Sequence, residues 1–379
     1  MPVDPSDPTK TRILDAGAQL PRSNGIRIAP PSSENPDSLL DSCDQLFSQS
    51  EVEWVSQYRL RKILGAGGQG VVYLADHVGA NEITFPVALK VFSPKRYKTN
   101  ELYRADMTRL GRVLARTAVV QQDRLTDVHN FIECDGVYVM VMEWIDGFDL
   151  GHLLSPGTLG RTSDRVSDQH WTYLTKVVFS PGPARVRLKP GIANSIVREC
   201  LAALGAMHRA GIVHADIKPS NIMVKRTGNT KLIDYGAAFE ADSRDQRVPV
   251  TPGYAAPEVL QGEPATSLSD LASLGYVLIE MLSGVRLFEG LRTYEDLLSA
   301  KQRIVNQVFE LLPHEILASE LLLELICGLV APDPRDRFPN AEAADLFEHG
   351  AAKFNRQLVL GNLGSEYEAD LRTWLTFVE

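Results

Sequence analysis

The chain has 379 residues, with 39 Lys or Arg against 48 Asp or Glu and a formal net charge of −9. A hydrophobic content of 44% supports a real core, and the length suits two ordinary domains or one bilobal unit. The mild acidity speaks against a general nucleic-acid binder. Cys43, Cys134, Cys200 and Cys327 are scattered without CxxC or Cys/His spacing, which argues against a disulfide framework or a zinc site.

The N-terminus, MPVDPSDPTKT, lacks the apolar stretch that would head a signal peptide. Apolar runs such as Leu321 to Val330, which carries Glu324, are too short to span a bilayer. A cytoplasmic protein with no membrane contact is expected. Residues 1–56 are rich in Pro, Ser, Asp and Asn without a sustained apolar period, which predicts a disordered tail. Within it lies TKTRILD, where Thr11 has Leu14 three residues on. This resembles phosphothreonine motifs read by forkhead-associated domains; a short sticky patch in a linker is the plainer reading.

Order is expected from near Tyr58. YRLRKILGAGGQGVVYLA reads as strand, Gly-rich turn and strand, with Gly65, Gly67 and Gly70 in a GxGxxG pattern. A dinucleotide-binding turn would continue as helix. Here Val71, Val72, Tyr73 and Leu74 continue as strand, and a further strand, FPVALK, ends in Lys90. Residues 100–117 read as a helix carrying Glu101 and Asp106, with Leu110 and Leu114 at helical spacing from Asp106. Residues 136–150, GVYVMVMEWIDGFDL, read as a buried strand running into a hinge. Residues 151–190 carry Arg161, Arg165, Lys176, Arg185, Arg187 and Lys189 with few acids. They read as a basic insertion, partly structured around Trp171–Leu174, either a solvated loop or a dock for a substrate or partner. Ile196, Cys200, Leu204 and Met207 then mark one stripe of a helix that Gly211 ends.

The next stretch, IVHADIKPSNIMVKRTGNTKLIDYG, holds Asp216, Lys218, Asn221 and Asp234. Such acids can accept a hydroxyl proton and hold Mg²⁺ through hard oxygens, and the Lys can neutralise a phosphate. This is the equipment of phosphoryl transfer, where positioning and charge stabilisation do most of the catalysis. Taken singly, Asp216 could cap a turn and Asn221 could bond its own backbone.

The motifs together resemble the Ser/Thr protein kinase family, in its bacterial eukaryotic-like form, over about residues 58–350. HADIKPSN stands where the family has HRDLKxxN, DYG where it has DFG, and TPGYAAPE closes the activation segment. The resemblance implies an α+β, bilobal fold with a small β-rich N-lobe (57–145) and a larger helical C-lobe (146–350). It implies ATP contacts from Leu64, Gly65, Ala66, Gly67, Gly68, Gln69 and Gly70, with Val72, Ala88 and Met223. Met142 would be the gatekeeper, Glu143 and Ile145 would meet the adenine edge through backbone groups, and Asp149 the ribose. Lys90 would hold the α- and β-phosphates, paired with a helix carboxylate, Asp106 in preference to Glu101. Asp216 would take the hydroxyl proton, Lys218 would steady the γ-phosphate, and Asn221 and Asp234 would hold Mg²⁺, or Mn²⁺. Asp270 would bond the catalytic-loop backbone or serve as a carboxylate at a helix N-terminus. Arg337 would pair with Glu258, and Thr251 would have a structural role.

The chain departs from the family at Ala215, which replaces the Arg that receives a phosphate on the activation loop. Switching by such a phosphate is therefore not expected. Tyr235 for Phe keeps the aromatic packing, and Val250 stands where a Gly is usual. After residue 350, Tyr367, Leu371, Trp374 and Leu375 form one helical stripe that packs back on the C-lobe or marks an interface. Two rivals stand beside a protein kinase: a pseudokinase scaffold, and a small-molecule kinase of the aminoglycoside type.

Overall fold

The computed structural model describes residues 36–48, 51–53, 57–243, 250–361, 364 and 366–378. The chain divides into two compact units, Met1–Val119 with Thr126–Ile145, and Val120–Leu125 with Asp146–Glu379.

The first unit is built on a six-stranded antiparallel sheet in the order β1-β2-β3-β4-β6-β5. Its strands are β1 (Glu51–Glu53), β2 (Gln57–Gly67), β3 (Gly70–Val78), β4 (Thr84–Phe92), β5 (Val128–Cys134) and β6 (Val137–Glu143). Helix α2 (Asn100–Thr117) buries Tyr103, Met107, Leu110, Val113 and Leu114, a stripe at helical spacing. The Thr99 hydroxyl caps it, accepting from Leu102 N. The Tyr103 hydroxyl donates to Phe92 O and accepts from Tyr138 N, both at 2.9 Å, which ties α2 to β4 and β6.

The disordered-tail expectation is corrected at residue 36. Helix α1 (Pro36–Ser48) buries Leu39, Cys43 and Leu46. The Phe47 ring lies 6.4 Å from that of Tyr73, and Asp44 pairs with Lys95 at 2.7 Å. An isolated helix of this length is marginal in water. It forms here because three apolar residues at i, i+4 and i+7 meet the first unit, a stripe too sparse to stand out among Asp and Ser in the sequence. Residues 1–35, with Thr11, lie outside the described residues.

The second unit opens with β7 (Gly147–Asp149), α3 (Leu150–Leu153), α4 (Pro156–Ser163), α5 (Asp168–Val177), β8 (Phe179–Pro181), β9 (Val186–Leu188) and α6 (Pro190–Arg209). The loop alternative for residues 151–190 is thus corrected: most of α3, all of α4 and α5, and a β8–β9 hairpin fill the stretch. Its Arg185 is buried, donating to Gly151 O at 3.1 Å and meeting Glu280 at 3.4 Å. Next come β10 (Ile212–Val213), β11 (Ile222–Lys225), β12 (Thr230–Leu232) and β13 (Phe239–Glu240). Strands β12, β11 and β7 make one small sheet, and β10 pairs with β13.

Helices α7 (Pro257–Leu260), α8 (Ser267–Ser283), α9 (Tyr294–Gln302), α10 (Ile304–Leu311), α11 (His314–Leu317) and α12 (Glu320–Val330) follow. The chain closes with α13 (Ala341–Leu346), α14 (Ala351–Leu360) and α15 (Tyr367–Leu375). Helix α8 is buried from Ser269 to Ser283 and forms the unit's axis. It starts in a capping box of Thr266 and Ser269 and stops at Gly284, at φ 69°. Among the described residues, no helix is long and apolar enough to cross a membrane.

Candidate active site

In the first unit the β2–β3 hairpin turns through Gly68 and Gln69. Gly70 sits at φ 144°, and a Cβ there would lie 1.9 Å from Val91 O, so only glycine lets β3 approach β4 at this point. At Gly65 and Gly68 a Cβ would meet nothing within 4 Å, leaving an open backbone face on the hairpin. Leu64 is exposed, while Ala66 and Val72 are half-buried. Val72 stands opposite Lys90, and Ala88 opposite both Leu74 and Met142. Lys90 is 5% exposed, and its Nζ donates to Gln69 Oε1 at 2.7 Å. That contact between loop tip and strand Lys was not foreseen; a polar tip residue in GAGGQG is the only sequence signal for it. Glu143 is tied to residue 127, its N–H donating to Asp127 O and its Oε1 accepting from Asp127 N.

The expected carboxylate on α2 is corrected. Asp106 pairs with Arg96 at 2.9 Å and with Arg109 at 2.8 Å, and accepts from the Tyr97 hydroxyl. Arg109 lies one turn on in the same helix, and Arg96 arrives from the turn before it, so two guanidiniums claim this carboxylate. Glu101 is no substitute. It is exposed in the first turn, where the Thr99 hydroxyl, its own backbone N–H and Arg104 hold its carboxyl below the ordinary value.

In the second unit the loop that carries Asp216, Lys218 and Asn221 follows β10. Its backbone is fixed by Asp270, buried near the start of α8. One carboxylate oxygen accepts from Ala215 N at 2.8 Å, the other from His214 N at 2.9 Å, and His208 Nε2 lies 2.8 Å from the latter. This anchoring holds Ala215 in the left-handed region at φ 61°, costly for a residue with a Cβ. Asp216 follows, 7% exposed. Its Oδ2 accepts from Lys218 Nζ at 2.7 Å and Asn221 Nδ2 at 3.0 Å, and its Oδ1 from the Thr251 hydroxyl at 2.6 Å. Lys218 also reaches Thr251 Oγ1 at 3.0 Å. The Asn221 amide also donates to Asp216 O, so its nitrogen is spent on Asp216 and its oxygen faces away.

Asp234 has φ 68°, and its Oδ1 accepts from Gly236 N at 3.0 Å. Tyr235 is buried, its ring centroid 6.3 Å from that of His214. Among the described residues no cluster of three or more His, Cys, Asp or Glu could hold a metal ion. The donors Asn221 and Asp234 nevertheless suit a cation such as Mg²⁺, which takes few protein ligands and leaves the rest to water and phosphate oxygens. Asp149 pairs with Met223 in the β7–β11 ladder, and its Oδ1 accepts from His152 N at 3.0 Å, capping α3. Burial pushes the Asp149 carboxyl up, opposed by that backbone bond.

Residues 251–258 are pinned at several points. The Ser273 hydroxyl donates to Tyr254 O at 2.8 Å, and the Tyr254 hydroxyl to Glu280 at 3.0 Å. Arg337 forms the expected pair with Glu258 through two bonds, of 2.8 and 2.7 Å, and also donates to Ala331 O and Leu268 O. Glu280 escaped the sequence reading. A Glu inside the apolar run YVLIEML, ten residues after Asp270, was the available signal. Burial above all pushes its carboxyl up, against the opposing charge of Arg185.

A β-sheet unit with a glycine hairpin and a strand Lys, and a helical unit with an Asp–Lys–Asn catalytic loop, define the phosphotransferase class that includes protein kinases. The chain matches the protein kinase domain over residues 58–349 and belongs to that family. It is 29% identical over 324 residues to serine/threonine-protein kinase PknD of Mycobacterium tuberculosis, covering 84% of this chain and 42% of the relative. It is 32% identical over 254 residues to PknE of the same organism, covering 66% and 38%. With PrkC of Bacillus subtilis the figures are 29% over 238 residues, 62% and 31%. The chain therefore spans less than half the length of these curated relatives.

Proposed function

We propose that this chain is a protein serine/threonine kinase that transfers the γ-phosphate of ATP to Ser and Thr hydroxyls of proteins, itself included. The observation that carries the reading is the buried Asp216 carboxylate, shared among Lys218, Asn221 and Thr251. Asp216 orients the acceptor hydroxyl and takes its proton. The bond from that oxygen to the γ-phosphorus forms as the bond to the β-phosphate oxygen breaks. The Lys218 ammonium neutralises charge on the group in transit. Asn221 and Asp234 offer oxygens to a divalent cation, magnesium or manganese in its place, which supplies further neutralisation of phosphate charge when bound. In the first unit Lys90 and the backbone N–H groups around Gly65–Gly70 serve the α- and β-phosphates. Val72, Ala88, Glu143, Ile145, Asp149 and Met223 are assigned to the nucleoside.

Protein substrates follow from the platform of residues 251–258. A forkhead-associated partner reading phosphorylated Thr11 and a cytoplasmic location belong to the same proposal. No observation favours the pseudokinase alternative. The test is ATP-dependent transfer by purified protein with Mg²⁺, to itself and to a basic acceptor protein, with sites mapped by mass spectrometry. Loss of about 10²–10⁴-fold in Asp216→Ala, with wild-type label on Ser and Thr, is the expected result. Nucleotide binding without transfer under Mg²⁺ and Mn²⁺ would instead favour the scaffold.

A further inference from the structure

Lys301, in the last turn of α9, is wholly buried, and no step of phosphoryl transfer calls on it. Its Nζ donates to Gly253 O at 2.7 Å. The same nitrogen lies 4.1 Å from the ring centroid of Tyr276 and 4.0 Å from that of Phe288. The two rings meet edge to face, with centroids 5.3 Å apart and planes at 90°. The ammonium thus sits between two aromatic faces with one hydrogen bond, and that bond goes to the backbone of the acceptor platform. Burial pulls the ammonium well below its ordinary value, while Glu280 and Glu258 act in the other direction.

Burying an ammonium is expensive unless it is paired or bonded. A methionine would fill much the same space at less cost. What the amino group adds is the bond to Gly253. The backbone around Gly253 is otherwise held by the turn bonds from Tyr254 N and Ala255 N to Thr251 O, at 2.9 and 3.0 Å, and by side-chain contacts on its two sides. Thr251 is fixed through its hydroxyl to Asp216, and Tyr254 through its carbonyl and hydroxyl to Ser273 and Glu280. Gly253 brings no side chain to the platform, and a Cβ there would meet nothing within 4 Å. Its carbonyl is the handle by which the turn is held from beneath.

We propose that Lys301, caged by Tyr276 and Phe288, is a positioning residue for the protein acceptor: by holding the Gly253 carbonyl it sets the shape of the platform on which the acceptor peptide lies. The inference rests on the kinase reading above. It predicts a selective defect. Lys301→Met raises KM for an acceptor peptide about tenfold, the loss of one buried hydrogen bond. The KM for ATP and the acceptor-independent hydrolysis of ATP stay at wild-type values. Lys301→Arg, which restores a cation, recovers part of the acceptor affinity. Phe288→Leu removes one ring face and leaves the Gly253 bond in place, giving a smaller rise in the same constant.

The experiment is steady-state kinetics on the full chain, varying peptide and ATP separately, with thermal melting of each variant alongside. An unchanged peptide KM in folded Lys301→Met overturns the proposal, as does a fall in kcat with both KM values unmoved. If Lys301→Met does not fold, Phe288→Leu decides: a raised peptide KM supports the cage, and an unchanged one removes it. Wild-type protein that transfers nothing to Ser or Thr sinks the kinase reading and this inference together. Wild-type transfer with indifferent variants sinks the inference alone.

Discussion

At the scale of single residues, the fork between Arg337 and Glu258 decides how the acceptor platform meets the rest of its unit. The Arg337 side chain is fully buried and the Glu258 side chain 12% exposed, and the guanidinium also serves carbonyls at Leu268, Ala331 and Pro332. Glu258→Ala leaves that guanidinium buried without its counter-charge. A loss of about 3–5 kcal/mol in unfolding free energy is expected, read by urea denaturation. The pair also has a pH signature. Burial pushes the Glu258 carboxyl up, but the Arg337 bonds and charge, its own backbone N–H and the Ser269 hydroxyl hold it below the ordinary 4.5. A carboxylate with a depressed folded value stabilises fully above its unfolded value, and that share is lost as pH falls through the folded one. Wild-type protein therefore loses stability as acid is added below about pH 4.5, and Glu258→Gln flattens that part of the curve. The pair was legible because each partner sits inside a motif, APE or DPRDRF. The ligands of Asp106 were not, because helical spacing shows which face a carboxylate occupies and says nothing of an arginine delivered by the preceding turn.

Among the elements, α15 shows what a sequence stripe does and does not disclose. Trp374 is fully buried, its indole N–H donating to the Thr162 hydroxyl at 3.2 Å and its ring 5.0 Å from Phe179. Tyr173 donates to Asp370, and Arg226 donates to Leu375 O at 3.1 Å. Gly228, at φ 94°, lies so close that a Cβ would stand 2.1 Å from Glu368 O. Of the two roles open to the stripe, docking on its own unit is the one observed. Trp374→Ala is expected to cost about 3–5 kcal/mol in chemical denaturation, with Gly228→Ala destabilising the same contact through backbone strain. Helices α2, α6 and α8 were readable because each carries a stripe and a capping or stopping residue in its own sequence. The partners of α15 were not. Thr162 and Phe179 come from α4 and β8, short elements of a stretch whose basic composition resembles a loop. Helix α1 was hidden for the opposite reason, with too few apolar residues to register as a stripe until Tyr73 and Gly136 of the first unit are seen to meet them.

For the whole molecule the proposed kinase activity raises the matter of its switching, and Ala215 bears on it. Where the family carries an arginine, this chain has a methyl group packed against Val213, Phe239 and Ala265, with Val259 beside it. An apolar cluster of this kind offers a phosphate neither charge nor hydrogen-bond donors. The hydroxyls of residues 234–258 point the same way. Apart from tyrosines they are Ser243 and Thr251, and Thr251 is already engaged by Asp216 and Lys218. Ser243 follows β13, its N–H bonded to Glu240 O. Activity that does not depend on a phosphate in this segment is therefore expected. Phosphatase-treated protein and Ser243→Ala should each retain wild-type kcat/KM within about twofold, a difference well under 1 kcal/mol in transition-state stabilisation. The measurement is peptide phosphorylation before and after phosphatase treatment, with the state of residues 234–258 followed by mass spectrometry. A drop of tenfold or more on dephosphorylation, reversed by preincubation with ATP, would require a phosphate receptor other than position 215. Lys301 and Asp270 would remain in place under either result, because they hold the platform and the catalytic loop through backbone groups that a phosphate does not touch. Asp270 and Lys301 thus fix the loop that carries Asp216 and the backbone at Gly253 through buried contacts within one unit.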